Sequence, residues 1–152
     1  MPHHRLALAT LAAALLVTAC SVISTTPPAA TPADFPGITA ELASHGIGVN
    51  HFVSGDAGCV DPVLAPTAIA FDAKGLDQAE NVRIYIYIFR NREAFERLRS
   101  SVDICAASFV TDPETFETIE ESPFVLAGQG PWAPEFEGAI RDALGEAAGT
   151  GG

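Results

Sequence analysis

Val82-Arg83-Ile84-Tyr85-Ile86-Tyr87-Ile88-Phe89 is the stretch on which the fold turns. β-Branched and aromatic side chains alternate along it without interruption, the pattern of an extended strand. Val82, Ile84, Ile86 and Ile88 share one face; Arg83, Tyr85, Tyr87 and Phe89 share the other. Both faces are bulky, so both need cover, and the strand is expected at the centre of a sheet.

Beyond this strand, Asn91 is placed to cap a helix and Glu93 suits its first turn. Phe95, Leu98, Val102 and Cys105 then recur at helical spacing as one apolar stripe. Arg92 with Glu96 and Glu93 with Arg97 form i,i+4 pairs on the outer side. Ser108–Thr111 reads as a further strand. Asp112-Pro113-Glu114 has helix-start chemistry while Thr115–Glu121 also suits an extended segment, and the pattern leaves residues 112–121 open. Pro123–Ala127 reads as a strand and Gly128-Gln129-Gly130-Pro131 as a turn. Pro134 opens a last helix with Phe136, Ile140 and Leu144 on one face and Gly145 as its stop.

On the other side of the central strand, Asp34 and Pro36 start a short helix carrying Ile38 and Leu42, and Gly46 ends it. Ile47, Val49, His51 and Val53 alternate as a strand, broken by Gly55-Asp56-Ala57-Gly58. Cys59–Pro66 is a loop, and Thr67–Phe71 a second strand. Asp72, Asp77 and Glu80 fall in a loop with Gly75, with Asp77 and Glu80 opening a short helical turn. The order predicts an α+β fold of two layers: a small, mostly antiparallel sheet covered by about three helices, formed by residues 35–145. Residues 146–152 are small side chains and are expected to form a flexible tail.

The chain has 152 residues, a formal charge of −11 and 48% hydrophobic side chains. That length suits one domain, and the apolar content is too high for a disordered chain. The acidity excludes a nucleic-acid binder, which needs clustered Lys and Arg against phosphate. It equally excludes adsorption to anionic lipid through a basic patch.

Residues 1–19 read as a leader. Arg5 gives a positive n-region, and Leu6–Leu16 is apolar apart from Thr10 but too short to span a bilayer. Leu16-Val17-Thr18-Ala19-Cys20 closes it. This order resembles the lipobox of bacterial lipoproteins. The resemblance implies diacylglycerol on the Cys20 sulfur, cleavage after Ala19, and lipid anchoring on the extracytoplasmic side of a bacterial membrane. In a cell with two membranes, Ser21 in place of Asp implies the outer one. The membrane, through lipid on Cys20, is thus one expected partner. Residues 20–34 then form a Pro/Ser/Thr-rich tether of extended character. The mature domain resembles no family of assigned function.

Once Cys20 carries lipid, Cys59 and Cys105 remain, two thiols in an oxidising compartment. A structural disulfide is the expected pairing. A redox or nucleophilic role is the competing reading, although there is no Cys-x-x-Cys and no His beside either thiol in sequence.

Signatures of catalysis are weak. His45 and His51 do not match a metal pair, and no zinc spacing occurs. Asp72, Asp77 and Glu80 lack the spacing of a calcium loop. There is no nucleophile elbow, phosphate loop or dinucleotide glycine pattern. No metal and no cofactor is expected. Arg83, Arg90, Arg92, Arg97 and Arg99 face an acidic run from Asp112 to Glu137, either complementing it internally or forming a polar docking surface. Trp132 is a candidate anchor for such docking, and Tyr85 and Tyr87, with Phe89, are candidate ligand-stacking rings. The sequence therefore points to a non-enzymatic binding or envelope-interaction lipoprotein, with an envelope protein or wall component as partner. An envelope hydrolase or redox enzyme with a site assembled only in space is the alternative.

Overall fold

The computed structural model describes residues 33–149. The leader, Cys20 and the tether as far as residue 32 lie outside the described residues, as does the end of the tail, 150–152. The chain forms α1 (Phe35–Ser44), β1 (Ile47–Ser54), β2 (Ala68–Gly75), β3 (Gln78–Ile88), α2 (Arg92–Ala106), β4 (Phe116–Glu121), β5 (Phe124–Gln129) and α3 (Pro134–Ala147). The five strands pair antiparallel throughout, in the order β1-β2-β3-β5-β4. The fold is α+β, as expected, and β3 is the central strand.

Cover comes from both sides. Ile84 and Ile86 pack with Ile38 and Leu42 of α1 and with Phe136, Ile140 and Leu144 of α3. Tyr87 and Phe89 pack with Val102 and Cys105 of α2. The expected two layers thus gain a third: α1 and α3 lie on one face of the sheet and α2 on the other. Each fully buried Ile or Phe contributes about 1.5–3 kcal/mol, so neither face of β3 can stand bare.

Helix ends follow the local chemistry. Asp34 accepts a hydrogen bond from the Gly37 N–H at 3.0 Å, and Asn91 from the Ala94 N–H at 2.9 Å. Gly46, at φ 81°, closes α1 in the left-handed conformation that glycine adopts without steric cost. The start of α3 is different. Ala133 offers no side-chain cap. Asp77, in the tight turn between β2 and β3, supplies it instead, accepting from the N–H groups of Glu135 (3.0 Å) and Phe136 (2.9 Å). Gln78 accepts from Ala133 N–H at 3.0 Å.

Several sequence expectations need correction. Asp72 and Glu80 lie within strands, and Asp77 caps a distant helix instead of opening a local one. Repetition of β character through Ala73 and the turn at Gly75-Leu76 accounts for this. Ser108–Thr111 is turn, held by Ser108, Phe109 and Val110 N–H bonds back to the end of α2. Residues 112–121, left open, divide into a short 3₁₀ turn (Pro113–Thr115) and β4. Helix α3 runs through Gly145 to Ala147, and Ala147 and Ala148 are buried, so the tail begins later than expected.

The alternation predicted for β1 also fails at its middle. Asn50 pairs with Asp72 and Val53 with Ala70, so His51 and Phe52 together stand opposite Phe71 alone. This is a β-bulge, with His51 at φ 52°. The extra residue reverses the side-chain phase. His51 turns towards the α2 face, Phe52 contacts Phe35 and Phe71 on the α1 face, and Val53 is left exposed.

Replacing Asp77 by Ala should lower stability by about 0.5–2 kcal/mol, the usual value of a helix cap, while Asp77→Asn, which retains an acceptor, should cost much less. Urea midpoints of the two variants check this; equal losses would show that the cap is not the source of the effect.

Candidate functional site

The loop between β1 and β2, residues 55–67, folds back over the α2 face of the sheet. Its inner side is held at several independent points. The Cys59 and Cys105 sulfurs lie 2.02 Å apart, with Cα atoms 5.4 Å apart, the separation of a disulfide. Closing a loop of 46 residues restricts the unfolded chain by about 4 kcal/mol in the chain-entropy account. The Tyr87 hydroxyl donates to the Ala57 carbonyl at 2.7 Å. Burial pushes the Tyr87 phenol well above its ordinary range, so it remains a neutral donor. Leu64 is fully buried in the α2-side core.

Short polar contacts shape the rest. Asp56 accepts from the Gly58 N–H at 2.9 Å, and Asp61 accepts from the N–H groups of Val63 (2.7 Å) and Leu64 (3.0 Å). Gly58 sits at φ 74°, and a Cβ there would collide with the Phe109 ring, so only glycine fits this corner. With its inner side so fixed, the loop turns Val60 (105% exposed), Pro62 and Val63 (56%) outward.

Arg83 ties this loop to the bulge. Its guanidinium reaches Asp72 (3.1 Å), the His51 carbonyl (3.1 Å) and Asp56 (3.4 Å). Asp72 in turn holds His51 Nδ1 at 2.8 Å, leaving an imidazole that is 74% exposed. The hydrogen bond from His51 lowers the Asp72 pKa; burial opposes it, and Arg83 lowers it further.

The candidate residues named from sequence fare unequally. Cys59 and Cys105 meet. Tyr87 is buried and committed to Ala57, while Tyr85 stacks on Phe109 with centroids 4.3 Å apart. Phe89 packs edge-on against Phe95 at 6.0 Å. All three rings are occupied by protein, which removes their stacking role toward a ligand. A surface groove of about 260 Å³ exists, but Asp103, Ala106, Ala107, Val110, Pro113 and Phe116 line it, not those rings. Trp132 is only 4% exposed, edge-on to Phe136 at 6.1 Å, and its Nε1 donates to the Gln129 carbonyl at 3.2 Å. It is a core residue and cannot serve as a docking anchor.

The arginine run is spent largely inside the molecule. Arg99 grips Glu120 through two bonds of 2.8 and 2.7 Å, and the expected Arg92–Glu96 and Arg97–Glu93 pairs form at 3.0 and 3.6 Å. Arg90 has no ion pair among the described residues. His45 pairs with Glu146 at 3.3 Å, apart from the His51–Asp72 pair, and no group of three metal-ligating side chains occurs among the described residues. What sequence reading missed is the outward valines. Cys59-Val60-Asp61-Pro62-Val63 places two aliphatics among turn-forming residues, and that was the available signal.

Comparison with protein families, with curated proteins and with solved structures finds no match for the chain.

Two outcomes follow from this geometry. The Asp72 pKa is depressed on folding, so its stabilising contribution is complete above the unfolded value of 3.8 and is lost as pH falls through the lower folded value. Asp72→Asn should therefore flatten the stability–pH curve in that acid range, as read from urea midpoints. Reduction, or Cys59→Ser with Cys105→Ser, should cost up to about 4 kcal/mol and expose the loop 55–67 to proteolysis before the sheet unfolds. Unchanged loop cleavage after reduction would show that the other contacts suffice.

Proposed function

We propose that the protein is a lipid-anchored extracytoplasmic lipoprotein whose domain is a non-enzymatic interaction module, docking an envelope protein through the loop Cys59–Val63. The observation that carries this reading is the outward display of Val60 and Val63 on a loop whose inner side is fixed. Fixing a loop before contact removes ordering cost from binding, which is how small surfaces gain affinity. Two valines and a proline offer apolar area with no side-chain donors, which suits a protein surface better than a glycan. The acidity of the chain would repel an anionic wall polymer.

The anchor draws its support from the lipobox-like Leu16–Cys20 order and from the pairing distance of the two other cysteines, which suits an oxidising compartment. No described helix is long and apolar enough to cross a membrane. One observation favours the enzyme alternative: His51 is held through Nδ1 by a carboxylate, leaving Nε2 to solvent, the posture of a general base. That reading would make His51→Ala the decisive variant, whereas the interaction reading makes it neutral for partner capture.

The test places a photo-crosslinking residue at Val60 in the cell, with intact mass measured on the same purified protein. An acylated mass and a discrete crosslinked partner, lost when Val63→Asp is added, is expected. Acylation with a crosslinking pattern identical to that from a probe at exposed Glu80 would overturn the docking role. An unacylated mass would overturn the anchor.

A further inference from the structure

A groove of about 260 Å³ lies between the end of α2 and the start of β4. Asp103, Ala106, Ala107, Val110, Pro113 and Phe116 line it, five apolar side chains and one carboxylate. Cys105 turns to the loop 55–67 through its disulfide, and the groove occupies the other flank of the helix end. We propose that this groove receives one large apolar side chain of a partner protein, presented in a segment whose neighbouring residues are Lys or Arg. Neither the lipid anchor nor docking through Cys59–Val63 enters the argument, and the inference stands or falls apart from both.

The walls of the groove are fixed. Between α2 and β4 the chain has only one 3₁₀ turn, Pro113–Thr115, yet it is held along its length. The Val110 N–H returns to the Ala106 carbonyl at 2.8 Å, and the Phe109 ring stacks on Tyr85. The Gln129 side chain of β5 clamps the residues that follow. Its oxygen accepts from the N–H groups of Thr111 (2.7 Å) and Asp112 (3.2 Å), and its amide nitrogen donates to the Thr115 hydroxyl and the Gly130 carbonyl. A site shaped before contact loses little ordering entropy on binding.

Size narrows the occupant. Pockets that enclose whole small ligands run to roughly 300–1,000 Å³, and this groove is smaller and open to solvent. It has room for one large side chain whose backbone stays outside. Val110 and Phe116 are only half-buried, so apolar area remains there to be covered.

Charge narrows it further. Residues 103–116, which supply both walls, contain Asp103, Asp112 and Glu114 and no Lys, Arg or His. Asp103 makes no hydrogen bond or ion pair among the described residues. The nearest base along the chain, Arg99, is committed to Glu120 by bonds of 2.8 and 2.7 Å. The whole chain carries a formal charge of −11, so the field at the groove is negative. Apolar walls under a negative rim match an apolar side chain flanked by cations and repel the same side chain flanked by acids.

The test titrates three blocked pentapeptides, Gly-Arg-Phe-Arg-Gly, Gly-Glu-Phe-Glu-Gly and Gly-Arg-Gly-Arg-Gly, into the full-length, disulfide-bonded, isotope-labelled protein at millimolar concentration. The amide resonances of Asp103, Ala107, Val110 and Phe116 are followed. Only the first peptide should give saturable shifts there, and they should weaken as salt is raised. Ala107→Phe, which fills the groove from an exposed position, should abolish them. Asp103→Asn, also at an exposed position, should weaken binding by about two- to five-fold, the worth of an exposed ion pair. Unchanged resonances elsewhere verify that both variants fold. Equal binding of the Arg-Gly-Arg peptide overturns the role of the groove, and equal binding of the Glu-Phe-Glu peptide overturns the charge selection. Benzylammonium binding as tightly as the first peptide makes the ligand a small cation and overturns the partner segment. No shift at the groove with any peptide overturns the inference outright.

Discussion

Strand β3 has to be buried on both faces, and most of the architecture follows from that requirement. Ile84 and Ile86 need one apolar cover and Tyr87 and Phe89 another. The chain supplies two helices for the first and only α2 for the second. One helix does not cover the whole of a five-stranded sheet, and α2 lies over the β5 side. The loop 55–67 closes the remainder, contributing Ala57 and Leu64 to the core beneath it. The disulfide is thus placed where a loop does work that elsewhere is done by a helix. A loop has no internal ladder of hydrogen bonds to hold its shape, and the cross-link to Cys105 together with the bond from Tyr87 to Ala57 replaces one.

The bulge in β1 is the second organising feature. One extra residue in an edge strand puts His51 on the α2 face, where Asp72 and Arg83 receive it, and puts Phe52 on the α1 face, half-exposed against Phe35 at the start of α1. The cost is visible locally: His51 adopts a positive φ. A regular strand would avoid it, and His51 would then share the face of Ile47 and Val49. Bulges also blunt sheet edges against further strand pairing. At the other edge, β4 achieves the same end with Glu117, Glu120 and Glu121.

What was legible in the sequence divides along physical lines. The alternation from Val82 to Phe89, the stripe from Phe95 to Cys105, and the caps Asp34 and Asn91 are local signals, and each appears where local physics puts it. The pairing of Cys59 with Cys105 was legible by counting thiols. Asp77 as a cap was not, because the N–H groups it caps lie 58 and 59 residues later in the chain, and an acid in a tight turn looks the same wherever its acceptor is used. The bulge was not legible either, since Ile47, Val49, His51 and Val53 satisfy the strand period whether or not a residue is inserted. Trp132 was misjudged for a related reason. A Trp between prolines marks a loop, but the depth of that loop depends on Gly128 leaving room for the ring, which is a contact across the fold.

The location of the apolar side chains left at the surface then acquires meaning from what surrounds them. Six large apolar side chains are exposed among the described residues, and four of them, Phe52, Val53, Val60 and Val63, fall within twelve positions. Scattered singly, such residues are ordinary. Here they sit on two segments whose conformations are set by other constraints, the bulge and the cross-linked loop. Neither segment is free to fold its valines or its phenylalanine inward, because the interior places beneath them are already taken by Phe71 and Leu64. A hydrophobic residue that cannot retreat remains available to whatever surface approaches it.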